Sequence, residues 1–103
     1  MKHEEQIKYV KEHSKNIGEI ENPSLEVQLS ALDNNGIYVL KYIKDPHIKV
    51  QIYAVILDYV AIQYIKNPSL EAQLAAVMDN GYAIQYIRKP NLEVQLAAVM
   101  CIG

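Results

Sequence analysis

The chain has 103 residues, half of them apolar, and twelve acidic against ten basic side chains for a formal net charge of −2. That is room for one domain with a continuous core; it excludes a disordered chain and offers no global attraction to nucleic acid. A lone Cys101, a polar Met1–Gln6 and no apolar run near the ~20 residues that span a bilayer set the expectation of a soluble cytoplasmic protein without disulfide, signal peptide or membrane partner.

In chain order, residues 1–22 keep a helical rhythm through Ile7, Val10, Ile17 and Ile20 but carry many charges, as a polar N-terminal cap would. From Pro23 onward the chain repeats. Prolines stand at 23, 46, 68 and 90, and nearly the same words follow each: Pro-Ser-Leu-Glu-Val-Gln-Leu after Asn22, Pro-Ser-Leu-Glu-Ala-Gln-Leu after Asn67, Pro-Asn-Leu-Glu-Val-Gln-Leu after Lys89. The copy at Pro46 has drifted to Pro-His-Ile-Lys-Val-Gln-Ile. A fixed period of this length marks a stack of small helical units. The units are 23–45, 46–67 and 68–89, with a half unit over 90–103.

Residues 67–89 show the expected design. Asn67 is an N-cap candidate and Pro68 suits the first helical position. Leu70, Leu74 and Val77 make an apolar stripe on a helix A, and Asn80-Gly81 stops it with Gly81 in the left-handed region. A shorter helix B follows from about residue 82 to 88, with Ala83, Ile84 and Ile87 inward. The fold expected is all-α: an α-solenoid of ~22-residue helix A–turn–helix B repeats, wound as a right-handed superhelix.

The words Val-Gln-Leu-Ala-Ala-Val-Met and Asn-Gly-Tyr-Ala-Ile-Gln-Tyr-Ile resemble short α-helical repeats of the HEAT and armadillo kind. More closely, they are similar to a bacterial and phage repeat domain of unknown function. The resemblance covers residues 22 to 102. It implies a binding scaffold without catalytic residues or cofactor, and in a narrower version a phage or mobile-element inhibitor of a host defence protein such as a nuclease.

Three ladders run through the copies. Gln28, Gln51, Gln73 and Gln95 recur within helix A, where a polar side chain on an apolar face needs partners; each is expected to bond a turn of an adjacent unit. Tyr42, Tyr64 and Tyr86 recur on helix B and, with Tyr38, Tyr82, Lys41, Gln63 and Gln85, are expected on the face opposite the inner isoleucines. Such a face reads either as ring packing between helices or as a tyrosine-lined protein-binding groove. Lys44, Lys66 and Arg88 form a cationic row that complements helix dipoles, or contacts an acidic partner or a nucleic-acid backbone.

Departures from the repeat suggest where specificity sits. In the second unit His47 replaces Ser, Lys49 replaces Glu, Tyr53 replaces Ala, and Tyr59 stands where Gly36 and Gly81 close their helices. A β-carbon there disfavours a left-handed cap, so a rebuilt turn and a central patch of His47, Lys49, Tyr53 and Tyr59 are expected. One extra residue near Ile37 and Tyr38 adds a second irregularity. At the far end Leu92, Val94, Leu96, Ala97, Val99, Met100, Cys101 and Ile102 are core-type residues, and Leu96, Val99, Met100 and Ile102 are expected to form a homodimer contact.

Catalysis has little support. His3, His13 and His47 lie in different units without metal-ligand spacing, Ser14, Ser24, Ser30 and Ser69 lack a glycine elbow, and Cys101 reads as an inert core thiol. The expectation is a non-enzymatic protein-protein interaction module. The rival readings are a nucleic-acid-binding solenoid using the basic row and a self-assembling structural element.

Overall fold

The computed structural model describes residues 1–102, without the side chains of Asn35 and Ile102. Among the described residues the chain is all-helical, and α-helices alternate with 3-10 helices. The α-helices are α1 (His3–Glu12), α2 (Leu25–Asn35), α3 (Ile48–Leu57), α4 (Leu70–Asp79) and α5 (Leu92–Ile102). Between them lie η1 (Ser14–Glu19), η2 (Gly36–Tyr42), η3 (Tyr59–Tyr64) and η4 (Gly81–Tyr86). Each α-helix packs against the next, each 3-10 helix packs against its neighbours, and the whole extends 47 × 19 × 16 Å.

The expected helix B is therefore a 3-10 helix. Its backbone closes i+3 rings, as in Ala61 N–H to Asp58 O at 2.9 Å and Ala83 N–H to Asn80 O at 2.9 Å. With three residues per turn, side chains three apart eclipse. Ile62 and Ile65 share the buried side in this way, and Ala61 and Ala83 are buried where η3 and η4 meet the α layer. A six-residue segment reaches further along its axis as a 3-10 helix than as an α-helix, which suits a short element spanning one edge of a unit.

Helix starts also differ from expectation. The caps are Ser24, Ser69 and Asn91, one residue after each proline, rather than Asn67 and its equivalents. Ser69 Oγ accepts the Ala72 N–H at 3.0 Å, Ser24 Oγ the Val27 N–H at 3.2 Å, and Asn91 Oδ1 the Val94 N–H at 2.9 Å. The prolines thus precede the caps, and Ser24 (φ −67°, ψ 165°) and Ser69 (φ −65°, ψ 158°) have the extended backbone of an N-cap.

The buried stripe is shifted too. Leu70 is exposed and Leu74 half-buried, whereas Ala72, Ala76 and Val77 are fully buried. The same positions are Val27, Ala31 and Leu32 in α2 and Val50, Ala54 and Val55 in α3, all buried. An alanine in the middle of each trio lets the 3-10 helix approach the α-helix closely, and an added side chain there would overpack by about 1–3 kcal/mol.

Residues 1–22 are not a bare polar cap but a full unit. α1 and η1 repeat the α then 3-10 order, and Val10, Ile17 and Ile20 join the common core. Even the glutamine rung is present: Gln6 Nε2 donates to Met1 O at 3.3 Å, as its equivalents do to their prolines.

The central turn is regular and the first one is not. α3 ends on Asp58 (φ −160°, ψ 113°) and α4 on Asn80 (φ −155°, ψ 113°), so Tyr59 and Gly81 begin their 3-10 helices in the same way. Asp58 Oδ1 accepts the Val60 N–H at 3.0 Å, and Asn80 Oδ1 the Tyr82 N–H at 2.9 Å. An Asx cap at this point makes a left-handed residue unnecessary, which is why Tyr59 fits. Among the described residues the one glycine with positive φ is Gly36 (φ 72°, ψ −164°), and it absorbs the extra residue of the first unit.

Candidate functional site

The glutamine ladder is structural, as its recurrence implied. Gln51 Nε2 donates to Pro46 O at 2.9 Å while its Oε1 accepts the Ser69 N–H at 2.8 Å. Gln28 does the same with Pro23 O at 3.0 Å and the His47 N–H at 2.9 Å. Each side chain thereby ties the proline turn of its own unit to the helix start of the next. Gln73 and Gln95 keep the first of these bonds, to Pro68 O at 3.1 Å and Pro90 O at 2.9 Å.

The threefold period of the 3-10 helices decides which residues face outward together. In η2 and its exit these are Tyr38, Lys41 and Lys44; along η3, Val60, Gln63 and Lys66; along η4, Tyr82, Gln85 and Arg88. All of them are exposed except half-buried Val60. The result is a surface with Tyr38 and Tyr82 at one margin (58% and 59% exposed), polar side chains in the middle, and Lys44, Lys66 and Arg88 at the other margin. η1 lacks this pattern: its corresponding residues are Lys15, Gly18 and Glu21.

Tyr42, Tyr64 and Tyr86 lie off that outward row. Tyr64 and Tyr86 are half-buried and serve as inter-unit packing: Tyr64 meets Tyr38 edge-on with ring centroids 5.3 Å apart, and Tyr86 meets Tyr59 at 6.2 Å. Tyr42 is exposed, with the Lys41 ammonium 5.3 Å from its ring centroid. Burial first, then the neighbouring Tyr38, raises the Tyr64 hydroxyl above the usual tyrosine range. The two readings of this face thus divide between residues: some rings pack and others stand free.

The four central residues belong to two elements, α3 with its cap and η3. His47 is the N-cap of α3, its Nδ1 accepting the Lys49 N–H at 3.0 Å, which preserves the role of the serine it replaces. Lys49 is exposed on the first turn of α3. Tyr53 lies on the outer α surface and donates its hydroxyl to Asp33 Oδ1 at 3.2 Å; that bond, the Asp33 charge and burial raise its pKa. Tyr59 is half-buried beside Tyr86 on the 3-10 side. Lys49 and Tyr53, one helical turn apart and both exposed, share a face of α3, while Tyr59 packs on the 3-10 side.

In α5, Val94 and Ala98 are buried, while Leu96, Val99 and Met100 are exposed. Cys101 is exposed rather than a core thiol, and the side chain of Ile102 lies outside the described residues. A row not anticipated from the sequence joins this region. Ile56, Met78 and Met100 hold one position 22 residues apart on α3, α4 and α5 and are 59%, 66% and 81% exposed. The equivalent residues earlier in the chain are Lys11 and Asp33, and that polar-to-apolar change along one ladder was the available signal.

One histidine has a serine and a carboxylate as neighbours. His3 Nε2 is 2.9 Å from Ser24 Oγ and 3.6 Å from Glu26 Oε2. Both groups approach the same ring nitrogen, and Ser24 Oγ already accepts the Val27 N–H. A relay needs the acid on the opposite nitrogen, so this group closes the first helix junction instead. Among the described residues no three His, Cys, Asp or Glu side chains are grouped to hold a metal ion, and no helix is long and apolar enough to cross a membrane.

No protein-family model matches the chain, and neither a curated protein nor a solved structure matches it.

Proposed function

We infer that the chain is a non-catalytic protein-interaction module, an α-solenoid with the right-handed wind expected of its repeats, that binds a partner through its 3-10 surface. The observation that carries this reading is the outward row of three adjacent 3-10 helices. It combines exposed Tyr38 and Tyr82 with Lys41, Gln85 and the cations, with exposed Tyr42 beside it, a composition typical of protein-binding surfaces. Backbone at such a surface is held rigid by the ladder and core, so little ordering is needed on binding.

The test is site-specific photo-crosslinking from position 41 in an extract of the source organism, with the double substitution Tyr38→Ser and Tyr82→Ser as comparison. Both rings are mostly exposed, and losing the edge-on contact of Tyr38 with Tyr64 should cost only about 0.5–1.5 kcal/mol, so the variant should stay folded while crosslinked products fall away. Identical products in identical yield would sink the reading. The narrower role, inhibition of a host defence protein by a phage or mobile element, rests on sequence resemblance alone; the identity of the crosslinked protein decides it.

A second reading, self-association into a homodimer, is favoured by the exposed apolar row Ile56, Met78 and Met100 with Leu96 and Val99 beside it. Light scattering at micromolar concentration tests it. A dimer that Met78→Asp with Val99→Asp converts to monomer supports it, and a monomeric parent removes it.

A further inference from the structure

Among the described residues, one groove recurs at two places with opposite charge. One copy lies between residues 17–23 and 42–45 and encloses about 500 Å3; the other lies between residues 62–68 and 86–88 and encloses about 610 Å3. Their walls correspond position by position: Glu21 matches Lys66, Lys44 matches Arg88, and Gln28 matches Gln73. The first is lined by Glu19, Glu21 and Asp45 against a single Lys44. The second has Lys66 and Arg88 and no carboxylate among its lining residues. Scaffold demands are the same at both places, so the inversion is not required by the fold.

We propose that the second groove binds a carboxylate-bearing peptide segment of the partner. Lys66 and Arg88 supply the charge, Arg88 with a fork that matches a carboxylate. Gln63 and Asn67 are exposed on its walls, and each side-chain amide offers both a donor and an acceptor, the pair a peptide bond presents. A phosphodiester backbone would use only the donors. Half-buried Pro68 and the half-buried ring of Tyr86 give apolar contact to the methylenes of a glutamate stem. The volume exceeds what one free anion fills, and the net charge of −2 works against a long polyanion. The groove adjoins the tyrosine-bearing surface, so the inference rests on the protein-binding reading above and names the chemistry of its partner.

The test is fluorescence anisotropy with a labelled ten-residue peptide alternating Glu and Val, against the same peptide with Gln in place of Glu. The Glu peptide is expected to bind and the neutral Gln peptide at least about tenfold more weakly. Lys66→Glu with Arg88→Glu should weaken binding by about tenfold or more. Adding Glu4→Lys and Glu5→Lys at the far end of the chain restores the parent net charge and should not restore affinity. Lys66→Gln with Arg88→Gln gives the same reading if charge reversal disturbs folding. Unchanged affinity in the groove variants, recovery with the remote lysines, or equal binding of the Gln peptide would each overturn the proposal. So would a single-stranded DNA that binds the parent more tightly than the Glu peptide and loses affinity in the same variants. The tyrosine crosslinking result is read independently, so a failed groove leaves the protein-binding reading standing and a failed tyrosine surface does not mask the groove.

Discussion

The first and second repeat units, residues 23–45 and 46–67, invert what their sequences advertise. The second unit has the most substitutions and lacks a glycine at its turn, yet its backbone matches that of the third within a few degrees at the cap: φ −160° at Asp58 against −155° at Asn80. The first unit keeps the consensus words and the glycine, yet its turn runs through a positive-φ residue, Gly36, into a seven-residue 3-10 helix. Substitutions that preserve a hydrogen-bonding role leave the backbone alone: His47 caps as Ser69 does, and Asp58 caps as Asn80 does. An inserted residue has no such substitute and must be taken up by φ and ψ.

The largest effect that would sharpen this contrast is expected at the glutamine rung. Gln51→Ala strips partners from Pro46 O and the Ser69 N–H inside a buried junction and should cost about 2–4 kcal/mol. The same change at exposed Gln95 should cost under about 1 kcal/mol. Urea unfolding of the two variants checks this, and equal losses would show that the ladder does not join units.

Next comes the turn itself. Gly36→Ala meets nothing within 4 Å, so any loss is backbone strain, and about 1–3 kcal/mol is expected for this region of φ and ψ. Deleting Gly36 instead restores the 22-residue spacing of the later units and brings Asn35 into the sequence register of Asp58 and Asn80. That deletion should leave the melting temperature unchanged or higher. A deletion mutant that unfolds would break the claim that the first unit is a regular unit plus one residue.

Asp58→Ala removes the Val60 cap and should cost about 1 kcal/mol, with Asn80→Ala costing the same within error because the two turns are equivalent. A much larger loss at Asp58 would mean that Tyr59 strains the turn after all.

The smallest effect is alkaline. Tyr53, which ties the second unit to Asp33 of the first, has a folded pKa above the usual 10.0 because its hydroxyl bonds that carboxylate. The neutral phenol is favoured in the folded state, so this contribution is present below about pH 10 and lost as pH rises through the folded value. Tyr53→Phe should flatten part of the stability decline between pH 9 and 11, measured by urea unfolding across that range. An unchanged profile would show that the bond adds nothing to stability.

Much of this architecture was legible in the sequence. The period, the all-helical class, the position of the turns and the structural role of the glutamines follow from repetition, because a residue demanded by every unit recurs in every unit. The unit at residues 1–22 was obscured because its charged surface replaced the usual words while Gln6, Val10, Ile17 and Ile20 kept their places. The buried stripe with alanine at its centre (Ala31, Ala54, Ala76) was obscured because leucines outrank alanines in any hydrophobic pattern. Alanine is buried here for its small size, a property that matters only once the 3-10 helix lies against it.

Composition and repetition alone determined that this chain forms stacked helical units with fixed polar rungs, since local capping, helix propensity and a common period are properties of contiguous residues. Tertiary structure decided the 3-10 form of the second helices, and with it the threefold period that groups Tyr38, Lys41 and Lys44 on one side and Ile62 and Ile65 on the other. It also joined Tyr53 to Asp33 of the preceding unit, packed Tyr59 beside Tyr86 on the 3-10 side, and brought Lys66 and Arg88 to one groove across a unit boundary. Such neighbours lie about 20 residues apart in the chain, and their distance is set by how one unit packs upon the next.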